Sequence, residues 1–115
     1  FIFSLITRFY NLRWGNGYHF HPDENNMVWA VERLSFPGLN PEFFAYGQFP
    51  LYLTYFSLPK PLSFNQAFWG LRFWSAVFSL LTILIAYLLA KNLFRSNKWA
   101  RVYSVLLIFT PYLLL

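Results

Sequence analysis

Cysteine is absent from the 115 residues, and charged side chains make up only 11% of them. Without cysteine the chain has neither disulfides nor thiolate metal ligands. Soluble domains carry about 25% charged residues, so this low value, with 57% hydrophobic residues, argues against a water-soluble globule. The same composition excludes disorder, because the chain can bury far more apolar surface than a disordered polar segment. The sequence therefore predicts a protein whose solvent is lipid.

Acidic residues are also scarce, with four Asp and Glu against nine Lys and Arg and a net charge of +5. The basic residues are scattered and partly flank apolar segments, whereas a surface that binds nucleic-acid phosphates needs them clustered. We therefore predict no nucleic-acid partner. All four acids lie in one polar stretch of the chain: Asp23, Glu24, Glu32 and Glu42.

The longest uncharged apolar run covers residues 73–90, with Arg72 before it and Lys91 after it. As a helix this run is about 27 Å long, close to the hydrocarbon thickness of a bilayer. Aromatic residues gather at its start, as they do at membrane interfaces. The run predicts a transmembrane helix, and the alternative is a buried core helix of a soluble domain.

Two further apolar segments, residues 1–7 and 102–115, are cut by the ends of the chain. They predict the outer end of a first transmembrane helix and a truncated third one, in a piece of a larger polytopic protein. The connecting residues 91–101 contain four basic residues and no acid, which predicts a cytoplasmic loop. By parity, residues 8–72 form an outer loop on the periplasmic, lumenal or extracellular side.

The predicted fold is all-α, with polytopic transmembrane helices and a long outer loop that carries short interfacial amphipathic helices. Within that loop, residues 23–34 follow Pro22 and have apolar side chains at helical spacing, which predicts one amphipathic helix. Residues 50–58 predict a second helix lying in the interface, with its tyrosine hydroxyls toward water.

Asp23 and Glu24 stand in the first turn of the predicted helix, where acids stabilise the free N–H groups and the positive end of the dipole. Composition alone favours this capping role. The alternative is chemical, because a helix N-terminus favours the charged carboxylate, the form that removes a proton from an attacking hydroxyl. Glu24 points about 100° around the helix from Asp23 and is expected to hold backbone or a cation.

Other polar side chains have two interpretations each. His19 and His21 can coordinate a divalent metal ion with a nearby acid, although ordinary hydrogen bonds are the more common use of surface histidines. Tyr46, Gln48 and Tyr52 can line the entrance for a substrate, or anchor the loop at the interface.

Several short motifs occur together in a known order. The sequence HPDE at residues 21–24, just after a membrane helix, resembles the first outer loop of the GT-C glycosyltransferases, which use polyprenyl-phosphate sugars. Four more segments agree: RFYNL (8–12) resembles R-x-x-x-L, FPLYL (49–53) resembles P-L-x-x-Y-L, GLRFWSA (70–76) resembles A-x-R-L-P-S-A, and AKNLF (90–94) resembles A-R-x-L-F.

The nearest resemblance is to the protein O-mannosyltransferase and lipid A aminoarabinose transferase family, as an N-terminal fragment. The HPDE turn is also similar to that of the mannosyltransferases that build lipid-linked glycans and glycolipid anchors. Trp74 stands where a proline is usual, and GQFP at residues 47–50 departs from the common H-P-P, which leaves the subfamily open.

The resemblance implies inverting transfer of a sugar from a polyprenyl phosphate to an acceptor hydroxyl, in a multi-pass protein of a bacterial or archaeal plasma membrane or of the ER. Asp23 matches the catalytic aspartate, a general base, and Glu24 the second acid of the motif. Arg72 becomes a candidate contact for the donor phosphate, the alternative being an arginine that snorkels to lipid headgroups. The implied partners are membrane lipid, the sugar donor, and an acceptor lipid, glycan or protein. No cofactor is indicated with certainty, and a divalent metal ion is the open alternative.

Two other functions fit parts of the sequence. A transporter or non-catalytic membrane subunit would also have an apolar helix and an aromatic outer loop. Transporters tend to place charged or broken helices at mid-membrane, whereas residues 73–90 are uniformly apolar. The third interpretation is an unproductive gene fragment whose ends have no biological meaning.

Overall fold

The computed structural model describes residues 2–10, 12, 15, 18 and 21–110. In this part of the chain the structure is helical and contains no strand, which confirms the predicted all-α class. The helices are α1 (Ile2–Phe9), α2 (Pro22–Arg33), α3 (Phe49–Ser57), α4 (Phe64–Phe94) and α5 (Asn97–Ile108). The polytopic architecture stays a prediction.

The chain divides into two compact units. The loop unit comprises Asn11–Ser75 and contains α2, α3 and the first part of α4. The helical unit comprises Phe1–Tyr10 and Ala76–Leu115 and contains α1, α5 and the rest of α4. Each unit is described by itself below.

Helix α2 begins at Pro22, a favourable first residue because its missing N–H would have no partner in the first turn. The side chain of His21 caps the helix, since its Nδ1 accepts the backbone N–H of Asp23 at 3.3 Å. The buried face carries the apolar residues of the sequence pattern: Val28, Ala30, Val31 and, just after the helix, Leu34. The predicted amphipathic helix over residues 23–34 is confirmed.

Helix α3 has Pro50 in its first turn and buries Leu51, Thr54 and Tyr55. Leu51 and Tyr55 share one core with α2 and with Ala67, Phe68 and Leu71 of α4. The helix predicted over residues 50–58 is present, but the expected position of its hydroxyls toward water is wrong for Tyr52. Its hydroxyl lies 3.0 Å from the Leu39 carbonyl oxygen, because α3 packs against protein on that side.

Helix α4 runs without a break for 31 residues and includes the predicted run 73–90. It starts with a reciprocal capping box, in which Ser63 N–H donates to Gln66 Oε1 at 3.0 Å. Gln66 N–H in turn donates to Ser63 Oγ at 3.3 Å. Trp74 sustains the helix at a position where a proline would remove a hydrogen bond and bend it.

Among the described residues, α4 is the one helix long and apolar enough to cross a membrane, judged by length and composition. Only 17% of its most apolar stretch is buried, whereas the core helix of a soluble protein is mostly buried. Large side chains such as Leu81, Ile85 and Leu89 are exposed along it. This chain therefore leaves most of the apolar surface of α4 uncovered.

The other candidate spans are short in the described part of the chain. Helix α1 has eight residues and α5 has 12, against about 20 for a full span. Residues 111–115 of the predicted third transmembrane helix lie outside the described residues. The first and third transmembrane helices stay predictions.

The predicted connection over residues 91–101 is shorter in the structure. Helix α4 continues to Phe94 and α5 begins at Asn97, so Arg95 and Ser96 alone join them. Arg95 adopts a left-handed backbone conformation with φ of 49°, which ends α4. Lys91 and Arg95 therefore lie at the C-terminal end of α4, where the helix dipole favours cations, whereas Lys98 and Arg101 belong to α5.

Candidate functional site

Asp23 is the second residue of α2, and its carboxylate takes no part in the side-chain cap of the helix, which His21 provides. Asp23 Oδ2 accepts a hydrogen bond from the Tyr46 hydroxyl at 2.7 Å. The Asp23 side chain is 42% exposed, so it keeps access to solvent and to a ligand. The structure thus brings together a predicted base and a predicted substrate-binding residue that are 23 positions apart.

The side-chain cap of α2 is provided by a histidine and not by either acid. His21 Nδ1 accepts the N–H of Asp23, so it carries no proton in this arrangement. This contact is the ordinary hydrogen bond that was one of the two interpretations of His21. The Asp23 carboxylate is left available for other partners. The Asp23 carboxylate lies 3.5 Å from the same nitrogen, close enough for an ion pair if the imidazole is protonated.

The described residues provide no arrangement of side chains that supports a metal site at His19 and His21. Among the described residues no group of three or more His, Cys, Asp or Glu side chains could hold a metal ion. His19, which the metal interpretation needs, lies outside those residues. A divalent metal ion therefore stays an open alternative.

Glu24 faces a different neighbour, the guanidinium of Arg72 on α4. Arg72 Nε donates to Glu24 Oε1 at 2.9 Å and Nη2 donates to Oε2 at 3.1 Å, a bidentate pair. The Arg72 side chain is only 8% exposed and lies over the Phe68 ring, 4.1 Å from its centroid. Glu24 thus holds a cation, the kind of partner that its direction on the helix favours.

Arg72 has a third fixed contact, because its Nη1 donates to the Leu12 carbonyl oxygen at 2.9 Å. A buried guanidinium with partners on three nitrogens does not have the exposed head group of an arginine that snorkels to lipid. Its role as a contact for the donor phosphate stays a prediction.

Tyr46 is half exposed and belongs to the segment before α3. Its hydrogen bond to Asp23, then partial desolvation, then the negative charge of Asp23 raise the pKa of the Tyr46 hydroxyl above its ordinary value. The phenol proton is therefore held firmly on Tyr46. Tyr46 acts as a neutral donor to the carboxylate over the whole physiological pH range.

Gln48 and Tyr52 form a pair of their own at the start of α3. The Tyr52 hydroxyl lies 3.2 Å from Gln48 Oε1 and 3.0 Å from the Leu39 carbonyl oxygen. These contacts fix the loop that precedes α3. The structure therefore groups Tyr46 with Asp23 and Arg72 with Glu24, while the predicted substrate-binding role of Gln48 and Tyr52 stays untested.

Sequence reasoning missed the partners that complete the Arg72 contacts, Leu12 and Phe68. Phe68 precedes Arg72 by four residues on α4, a spacing at which helical side chains meet, so this contact could have been found. The Leu12 carbonyl has no signal in the sequence, because any residue can supply a backbone oxygen.

A model of the dolichyl-phosphate-mannose-protein mannosyltransferase family matches residues 1–115. The chain belongs to this family. The resemblance predicted from the motifs is confirmed, and with it the assignment to the membrane glycosyltransferases of GT-C type. No curated protein and no solved structure is significantly similar to the chain.

Membership of this mannosyltransferase family indicates the general kind of reaction and of substrate. The family is associated with membranes and uses a polyprenyl-phosphate-linked sugar donor together with an acceptor. The reaction class of the family is therefore glycosyl transfer.

Proposed function

We propose that this mannosyltransferase-family chain forms the region around the first outer loop of an inverting glycosyltransferase, with Asp23 as the general base. The observation that carries the proposal is the half-exposed Asp23 carboxylate, fixed at the start of α2 by the Tyr46 hydroxyl at 2.7 Å. An ordered carboxylate that ligands can reach is what general-base catalysis requires. The donor is a polyprenyl-phosphate sugar, and the acceptor presents a hydroxyl.

In the proposed step, Asp23 takes the proton of the acceptor hydroxyl as its oxygen attacks the anomeric carbon. The bond from that carbon to the phosphate oxygen breaks, and the polyprenyl phosphate leaves with the electron pair. One displacement inverts the anomeric centre. A carboxylate offers about four lone-pair positions, so Asp23 can accept this proton while Tyr46 holds Oδ2.

Glu24 is a positioning residue in this proposal. Both of its oxygens accept N–H groups of Arg72, which fastens the first turn of α2 to α4 within the loop unit. The adjacent Asp23 is held in place as a consequence. Arg72 stabilises this arrangement through the same ion pair.

The catalytic test replaces Asp23 with Asn in the enzyme that carries this chain, and Glu32→Gln serves as the control. Asn keeps the size and one acceptor oxygen but cannot take the proton, so release of sugar from a radiolabelled polyprenyl-phosphate donor should fall at least 100-fold. Glu32 is an exposed acid on the same helix, so its variant should retain transfer. Undiminished transfer by the Asp23 variant would show that Asp23 is not the base and would favour a non-catalytic membrane protein.

The proposal also places residues 8–72 outside the cytosol and residues 91–101 inside it. The absence of cysteine makes a clean labelling test available. In intact cells, a membrane-impermeant maleimide should label Ser35→Cys and should label Asn97→Cys only after permeabilisation, since both positions are exposed. The reverse pattern would invert the topology and remove Asp23 from the side on which the proposed reaction occurs.

A further inference from the structure

Arg8 lies near the end of α1 in the helical unit and is only 7% exposed. Its Nε donates to the Ser79 hydroxyl oxygen on α4 at 2.6 Å. Its Nη1 lies 3.2 Å from the Thr7 hydroxyl oxygen. Two nitrogens of this buried guanidinium are thus held by neutral hydroxyl groups.

The third nitrogen of the Arg8 guanidinium is Nη2. Arg8 Nη2 is buried and makes no hydrogen bond within the described part of the chain. The Ser4 hydroxyl, one helical turn earlier on α1, is also buried without a partner there. Residues four apart on a helix share a face, so these two groups belong to the same side of α1.

The sequence of the helical unit supplies no counter-charge. Residues 1–10 and 76–115 contain no Asp or Glu, while they contain Arg8 and four more basic residues. Burying a cation whose partners are all neutral leaves its desolvation uncompensated, and an arginine is always charged. An anion that binds here would satisfy Nη2 and neutralise the guanidinium.

We propose that Arg8 and Ser4, with Ser79 holding the guanidinium in place, form a binding site for a phosphate oxyanion. The guanidinium offers two unused N–H groups at Nη2, and Ser4 can add a hydroxyl, so several oxygens of one phosphate can be met. Phosphate is also the anionic group that membrane lipids carry, and basic pockets between membrane helices bind such head groups. The site is assigned from the helical unit alone and does not rest on the role proposed for Asp23.

The test follows the Nε–H resonance of Arg8 by NMR, with the chain in uncharged detergent micelles. Dodecyl phosphate is the probe, and dodecanol and inorganic phosphate are titrated separately. We expect dodecyl phosphate to shift the resonance in a saturable way and dodecanol to leave it unchanged. A shift by inorganic phosphate at the same concentrations would assign a free phosphate as the ligand, and its absence would assign a lipid phosphate.

Variants decide whether the binding belongs to this site. Retention of dodecyl phosphate, measured by native mass spectrometry, should weaken at least tenfold in Arg8→Gln and remain unchanged in Arg101→Gln, an exposed arginine of the same unit. Ser4→Ala should weaken binding several-fold with helix content unchanged, which keeps the test valid if Arg8→Gln does not fold. Equal binding by the wild type and these variants, or no binding by the wild type, would overturn the proposal.

Discussion

The two units each bury one arginine to almost the same extent but satisfy it in different ways. Arg72 in the loop unit is 8% exposed and is paired with both oxygens of Glu24. Arg8 in the helical unit is 7% exposed and has hydroxyl partners, while its Nη2 has no partner among the residues that the structure describes. The difference follows from where the acids lie, because all four belong to the loop unit. Arg72 consequently has a counter-charge within its unit, whereas the sequence of the helical unit contains no acid that could pair with Arg8.

The apolar side chains of the two units differ in a related way. The loop unit has a core in which Val28, Val31 and Leu51 are almost completely buried. The helical unit exposes large residues along α4, where only 17% of the most apolar stretch is covered. The loop unit therefore carries its own solvent-excluded core, and the outer surface of α4 depends on lipid or on other helices for its cover.

The largest effect is expected when the Glu24 charge, which pairs with Arg72 and has no counterpart at Arg8, is removed. Glu24→Gln leaves a buried guanidinium with a neutral partner and should lower the free energy of unfolding of the loop unit by about 3–5 kcal/mol. Urea titration in detergent micelles, followed by tryptophan fluorescence, measures this loss. Glu32→Gln on the exposed side of the same helix should cost less than about 0.5 kcal/mol. Equal losses in both variants would mean that the ion pair does not stabilise this unit.

The second prediction contrasts the two kinds of apolar surface. Leu51→Ala leaves a cavity at a residue that is 1% exposed, so the loop unit should lose about 2–4 kcal/mol of unfolding free energy. Leu89→Ala, at a residue that is 63% exposed in the helical unit, should change stability by less than about 0.5 kcal/mol in the same titration. A large loss at Leu89 would show that α4 is packed more closely than its exposure indicates.

The third prediction tests how closely α3 approaches α4 within the loop unit. A Cβ atom at Gly70 would lie 2.6 Å from Thr54 Cγ2 and 2.9 Å from Leu58 Cδ1, too close without a shift. Gly70→Ala should therefore destabilise the loop unit by about 1–3 kcal/mol. Gly47→Ala is the matched control, since no atom lies within 4 Å of a Cβ there. A neutral Gly70 variant would indicate a looser approach of the two helices.

The smallest effect concerns the contact between Asp23 and Tyr46. The hydrogen bond to the carboxylate raises the pKa of Tyr46, so Asp23→Asn should lower this pKa toward its ordinary value. NMR of ¹³C-labelled tyrosine, with Tyr46→Phe to assign the signal, follows the ionisation. Because the raised pKa favours the protonated phenol in the folded state, this stabilisation is present below the ordinary pKa and is lost as pH rises through the raised one. An unchanged Tyr46 pKa would mean that the two side chains do not meet in solution.

Local patterns in the sequence predicted most of the helical structure. The apolar spacing after Pro22 located α2, and the Pro50 segment located α3, because both signals act within one or two helical turns. The start of α4 was predicted nine residues late, at residue 73 instead of Phe64. Its signal was present in Ser63 and Gln66, whose spacing is that of a capping box.

The side-chain contacts of the candidate sites could not be predicted from local sequence patterns. Asp23 and Tyr46 are 23 positions apart, Glu24 and Arg72 are 48 apart, and Arg8 and Ser79 are 71 apart. Each of these residues has several sensible partners by charge or hydrogen bonding alone. The Glu24–Arg72 pair, for example, depends on the packing of α2 and α4 around the shared core.

Composition and helical periodicity by themselves determined that this chain is helical, that one apolar run suits a membrane helix, and that its acids gather in one stretch of the sequence. Tertiary structure alone decided which carboxylate stays open to solvent and which arginine receives a counter-charge. The physical reason is range: helix propensity, caps and hydropathy act between near neighbours in the chain, whereas ion pairing and burial depend on which distant segments pack together.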